Sequence, residues 1–166
     1  SISELVRHLP FEAVEEMVTK ANEQCFQAGE LIFEEGDAGN EVFFLETGKI
    51  NISSSGQEIA SLKAGDVLGE IALVTGAPRT ATARAALKTT VFSFHKEDFD
   101  AWRERYPPFE KAAKTLAANR LKELLARDGV DLNAAEWVES IMNVTVESAI
   151  VPSQSQLQRV SEQHDG

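Results

Sequence analysis

Between Phe26 and Phe94 the apolar residues come in short runs, each closed by a turn residue, and this rhythm limits the fold more than anything else in the chain. Leu31-Ile32-Phe33 is followed by Gly36 and Gly39, and Val42-Phe43-Phe44-Leu45 by Gly48. Ile50 and Ile52 alternate with polar residues up to Gly56, and Ile59 and Leu62 precede Gly65. Thr80 to Ala85 and Val91-Phe92-Ser93-Phe94 complete the series. Short strands at near-regular spacing with turn residues between them predict a β-sandwich or barrel. The flanks have a different period. From Ile2 to about Ala21, Leu5, Leu9, Val14, Met17 and Val18 recur at helical spacing with a break at Pro10, which predicts one or two short helices. His8 is read there as a surface helix residue. From Lys96 the helical period returns. Phe99 and Trp102 share a face, Pro107-Pro108 ends that helix and starts the next, and Phe109, Ala113, Leu116, Leu124 and Leu125 give the second helix a broad apolar face. The fold class is therefore mainly β with flanking helices.

The stretch Gly69-Glu70-Ile71-Ala72-Leu73 through Pro78-Arg79-Thr80-Ala81-Thr82-Ala83 carries the functional signal. A glycine and an acid stand at the expected start of a short helix, where free backbone N–H groups favour an anion. Gly69, lacking a Cβ, would let the backbone come close to a ligand. Arg79 supplies a permanent charge and a planar fork for phosphate oxygens. Glu70 repels a phosphate but can accept a hydrogen bond from a sugar hydroxyl beside it. Together these groups point to a ribose phosphate.

The same stretch resembles the phosphate-binding cassette of cyclic nucleotide-binding domains. That motif reads roughly Phe-Gly-Glu-(Leu/Ile)-Ala-Leu, a short loop, then Arg-(Thr/Ala/Ser)-Ala. Here Leu68 stands for the usual Phe and Ala83 for a common β-branched residue, both apolar exchanges. Ala28-Gly29-Glu30-Leu31-Ile32, Glu35-Gly36-Asp37 and Leu45-Glu46-Thr47-Gly48 resemble the family's recurring turns, and the likeness runs from about Phe26 to about Leu125. It implies an eight-stranded β jelly-roll barrel (26–95) with an N-terminal helix (2–21) and C-terminal capping helices (96–127). It also implies a ligand, cAMP or cGMP, and no cofactor. The implied ligand-binding residues are Gly69, Glu70, Ile71, Ala72, Arg79, Thr80, Ala81, Leu116 and Arg120. Arg79 and the backbone N–H groups around Glu70, Ile71 and Ala72 would hold the cyclic phosphate. Glu70 would accept from the ribose 2′-hydroxyl, and ligand would draw the helix from Pro108 to Arg127 over the barrel mouth. Arg120 has two readings. Its stem can lie on the core with its tip in water, or it can contact a purine, as an arginine at the matching distance does in some bacterial channel members. A hydroxyl on Thr80 can accept from the 2-amino group of a syn guanine, yet cAMP is expected to be modestly favoured, as the commoner signal in the bacterial source anticipated for the chain.

Charge and chemistry exclude other classes. The net charge is −11 over 166 residues, which argues against nucleic acid or an anionic membrane as partner. The single cysteine, Cys25, allows no internal disulfide and fits a reducing compartment, so a cytoplasmic location or the cytoplasmic side of a membrane protein is expected. No apolar run reaches the length of a membrane span, so no direct membrane insertion is expected, and no signal peptide is read. The chain opens at Ser1 without an initiator Met and is expected to be a piece of a longer protein. A cupin-like metal enzyme needs clustered ligands, and the three histidines, His8, His95 and His164, lie far apart. No serine nucleophile motif occurs, so no catalysis is expected. A catabolite activator-like transcription regulator shares the barrel but follows it with a basic helix-turn-helix. After Arg127 this chain offers Asp128, Asp131, Glu136, Glu139 and Glu147, so that reading survives only for a fragment lacking its DNA-binding domain.

Residues 1–128 are thus expected to form the nucleotide-binding domain. Beyond Gly129, Asn133 and Glu136 have capping-box spacing and Trp137, Ile141 and Val144 an apolar stripe, predicting an extra helix. From Pro152 the chain is rich in Ser and Gln and reads as a linker or tail. The expected function is a regulatory domain that signals to an attached output domain. A homodimer is left open.

Overall fold

The computed structural model describes residues 1–127. The expected helix over 133–144 and the tail after Pro152 lie outside the described residues. In chain order the elements are α1 (Ile2–Val6), α2 (Phe11–Lys20), β1 (Asn22–Phe26), β2 (Leu31–Phe33), β3 (Glu41–Thr47), β4 (Lys49–Ser54), β5 (Gln57–Lys63), β6 (Val67–Leu68), α3 (Glu70–Thr75), β7 (Thr82–Ala85), β8 (Thr89–His95), α4 (Lys96–Arg105) and α5 (Pro107–Arg127). The fold is mainly β with flanking helices, as the sequence predicts.

The eight strands form two antiparallel four-stranded sheets, ordered β1-β8-β3-β6 and β2-β7-β4-β5. Strand alternation explains how they pack. On β3, Phe43 and Leu45 point to one face and meet Ile50 and Ala83 of the other sheet, with Leu68 and Val91 beside them. The two sheets therefore face each other across this core. Val42 and Phe44 point the opposite way. They join Phe94, Leu5, Leu9, Met17, Phe99, Trp102 and Phe109 in a second core beneath the helices. β3 is buried on both faces because a sheet covers one and helices the other.

One boundary differs from expectation. The strand region starts at Asn22, not Phe26, because β1 (Asn-Glu-Gln-Cys-Phe) is a polar edge strand paired only with β8. It has no apolar alternation to read. The first helical region is two short helices broken at Pro10, within the one or two expected, with Ser1 and Glu4 forming a capping box on α1 and Pro10 starting α2.

α4 and α5 meet at Tyr106. The first half of α5 is core: Phe109 and Ala113 are fully buried and Ala117 nearly so. The second half passes over α3, and that placement creates the cavity.

Candidate functional site

α3 is short and starts abruptly. Gly69, its N-cap, has φ +87°, a left-handed conformation that disfavours other residues. Space matters as much. A Cβ at Gly69 would stand 2.6 Å from Arg79 Nη1 and 3.1 Å from the Glu41 carbonyl oxygen. The sequence reading assigns the missing Cβ to ligand approach; in the structure the Arg79 guanidinium occupies that space.

Arg79 is 5% exposed. Its Nη1 donates to the Gly69 carbonyl at 2.8 Å and its Nη2 to the Glu41 carbonyl at 2.7 Å. The guanidinium lies 4.2 Å from the centre of the Phe33 ring. Its Nε–H has no partner among the described residues. The backbone is pinned as well, with Arg79 N–H donating to the Asp37 carbonyl and Gly36 N–H to the Arg79 carbonyl. Burial pulls the guanidinium pKa below its ordinary value, while Glu41, Glu70 and Asp37 push it back up. The arginine is thus preoriented, with its Nε–H still unspent.

Glu70 is 1% exposed, an unusual place for a carboxylate. Arg120 Nε lies 3.3 Å from Oε1, close enough for an ion pair. The contact lacks hydrogen-bond alignment, and neither carboxylate oxygen accepts a hydrogen bond from the described residues. The distance gives charge attraction without satisfying a lone pair. Burial raises the Glu70 pKa above its ordinary value near 4.5, and Arg120 is the largest opposing influence.

That shift fixes the sign of a pH effect. Between the ordinary and the raised value, the folded state holds a proton that the unfolded state has lost. Stability therefore falls as pH rises through this window, because folding must bury a charge. Without nucleotide, Glu70→Gln should gain on the parent as pH rises from below 4.5, and the gain should level off once Glu70 is ionised in both states. Urea unfolding of both proteins across a pH series measures the difference; one that stays constant with pH would contradict the burial of an ionisable Glu70.

Gly69, Glu70, Ile71, Ala72, Arg79, Thr80, Ala81 and Arg120 all line one cavity of about 400 Å³. That volume lies in the range of small-ligand sites. Leu116 does not line it. It borders a second hollow between α1 and α5 with Leu5 and Ala112, and packs on the helix-side core. Eight helical residues turn the face by about 80°, so Leu116 looks to the core while Leu124 looks to the cavity. Arg120 departs from the first of its two readings, since its tip is drawn inward to Glu70 rather than out into water, and it lines the cavity.

The rest of the lining was not named as site in the sequence. Phe33, Ile52, Ile59, Ala60, Leu62 and Leu68 form an apolar wall, and Glu123, Leu124 and Ala126 join Arg120 from α5. The strand alternation of Ile50–Ile52 and Ile59–Leu62 was the available signal, but it does not say which inward residues face a cavity. The cavity therefore has a charged end at α3 and Arg79, an apolar wall from the strands, and a helical cover. Among the described residues, no group of three or more His, Cys, Asp or Glu could hold a metal. Among them, too, no helix is long and apolar enough to cross a membrane.

The sequence model described as the cyclic nucleotide-binding domain matches residues 23–106. The chain is 30% identical over 132 residues to the potassium/sodium hyperpolarization-activated cyclic nucleotide-gated channel 3 of Mus musculus, spanning 76% of this chain and 17% of that protein. It is 30% identical over 123 residues to channel 4 of Homo sapiens, spanning 74% of this chain and 10% of that one. A solved structure described as Sp-2Cl-cAMPS bound to PKAR CBD2 superposes with a TM-score of 0.66 at 25% identity, covering 76% of this chain and 84% of the other. A second, described as cAMP-bound PfPKA-R, gives a TM-score of 0.68 at 23% identity, covering 78% and 45%. At that identity the second likeness speaks for the fold alone.

Proposed function

The chain belongs to the cyclic nucleotide-binding domain family, and from that premise we propose that it reversibly binds a cyclic purine nucleotide, cAMP ahead of cGMP, and reports occupancy through α5 to an output domain in a longer chain. The observation that carries this reading is the pairing of Glu70 and Arg79. Both are buried at one end of a single cavity, and each keeps unspent hydrogen-bonding capacity facing in opposite chemical senses. A cyclic ribose phosphate supplies both complements at once: an anion for Arg79 and a hydroxyl donor for Glu70.

In this proposal Arg79 and the backbone N–H groups of Glu70, Ile71 and Ala72 hold the phosphate. Thr80 and Ala81 flank it. The ribose 2′-hydroxyl donates to Glu70 and takes over part of the balance now provided by Arg120. Arg120 then turns to the purine, with the wall of Ile59, Ala60 and Leu124 around the base. The preference for cAMP is supported by the analogue named for the structural neighbour at 25% identity. Thr80 offers guanine one hydrogen bond, worth about 0.5–1.5 kcal/mol net, so cGMP should bind too. Ligand can shift α5 only by its difference in affinity for the two positions. Residues 1–128 form the binding unit in this scheme, and it works in the cytoplasm or on the cytoplasmic side of a membrane protein.

The test is discrimination at the 2′ position. The parent should bind 2′-deoxy-cAMP more weakly than cAMP by about 1–3 kcal/mol, the cost of leaving a buried acceptor unpaired. In Glu70→Ala that gap should shrink to within about 0.5 kcal/mol, since the acceptor is gone. A variant that discriminates as strongly as the parent would remove Glu70 from the ribose site.

A further inference from the structure

A buried arginine outside the cavity, Arg103, ties together three helices. It lies on α4 and is 2% exposed. Its Nη1 donates to Asp100 Oδ1 at 3.1 Å on its own helix and to the Leu73 carbonyl of α3 at 3.3 Å. Its Nη2 stands 3.6 Å from Glu110 Oε1 on α5. Asp100 is held in turn by Lys96, and Glu110 by Lys114 at 3.4 Å.

Each partner has a physical reason. The last carbonyls of a helix lack intrahelical donors, and a cation at that end is favoured. The Leu73 carbonyl lies in the last turn of α3, so Arg103 caps the end opposite the one where Glu70 begins. The planar fork meets a carbonyl and two carboxylates through two separate nitrogens, a spread that the compact ammonium of lysine lacks. Two carboxylates balance the buried charge. The pair with Glu110 alone ties α4 to α5. The bond to Leu73 is the extra element, and it reaches the helix that bears Glu70, three residues away.

We propose that Arg103 is a positioning residue that couples occupancy of the charged end of the cavity to the placement of α5. The inference rests on the reading of that cavity as a cyclic nucleotide site. α3 has six residues, so its first turn and the Leu73 carbonyl belong to one short rigid element. A shift of its first turn onto a bound phosphate displaces the Leu73 carbonyl, and the guanidinium transfers that displacement to Glu110 at the start of α5. Arg103 touches no ligand; its effect passes through α3.

Hydrogen exchange of the full chain, with and without saturating cAMP, tests this in the parent and in Arg103→Lys. In the parent, cAMP should raise protection of both α3 and α5. In Arg103→Lys, α3 should still respond, while the cAMP-induced gain at α5 should fall by about five- to tenfold. A purely structural role would lower protection with and without cAMP alike and leave the ratio intact, so the ratio is the deciding quantity. Equal cAMP-induced gains at α5 in parent and variant would overturn the proposal. If Arg103→Lys does not fold, Glu110→Gln decides instead. It leaves the bonds to Leu73 and Asp100 and weakens the tie to α5 together with the Lys114 pair inside α5, so an undiminished α5 response there would overturn the coupling. A parent that binds no cAMP by calorimetry would overturn the proposed function itself, and this inference with it.

Discussion

Arg79→Ala should leave both sheets folded and weaken cyclic nucleotide binding by about 2–4 kcal/mol, the cost of truncating one side of a buried charge pair. That is roughly thirty- to eight-hundredfold in Kd. Arg79 is a buried cation whose guanidinium two backbone carbonyls and the Phe33 ring already orient, so little entropy remains to be lost on binding. Without it, a phosphate would face Glu70, Glu41 and Asp37, whose charges are felt at this position. Two carbonyls would also lose their donors, at a cost to stability of about 1–3 kcal/mol. Calorimetric titration of the variant, with circular dichroism to establish folding, separates the two effects. An affinity within about twofold of the parent would contradict the phosphate role.

Phe109→Ala should be the larger blow to the fold, lowering stability by about 3–5 kcal/mol. Phe109 is fully buried and meets the Phe99 ring edge-on, with centroids 5.4 Å apart. It fixes the base of α5 to α4 and to the core under the sheet. Against a typical total of about 5–15 kcal/mol, such a loss is a large fraction. Urea unfolding reads it directly, and a loss below about 1 kcal/mol would contradict the placement of α5. The same packing revises the view of the whole helix as a cover drawn over the mouth. Its first half belongs to the core, and only the stretch from Arg120 onward borders the cavity.

The sequence was legible where local rules decide the structure. Gly69-Glu70 starting a helix, Arg79 in the loop that leads to a strand, and the strand–turn rhythm from Leu31 to Phe94 are each written in neighbouring residues. β1 was not legible, because an edge strand with one covered face and polar residues has no period to detect. The placement of Leu116 on the core side was not legible, because a broad apolar helix face does not say which part meets the core and which a cavity. The Glu70–Arg120 pair joins residues fifty positions apart, and no spacing rule reaches that far. Arg103 on α4 reads in sequence as one more charge of a solvated helix. Only packing of α3 and α5 on either side buries it and makes it a cap.

Whether the cavity takes a cyclic nucleotide is decided by calorimetric titration of the chain, stripped of any co-purified nucleotide, with cAMP and cGMP in turn. Saturable one-site binding of both is expected, with cAMP at least as tight as cGMP. Absence of binding by either nucleotide up to about 1 mM, a standard free energy weaker than about −4 kcal/mol, would contradict it.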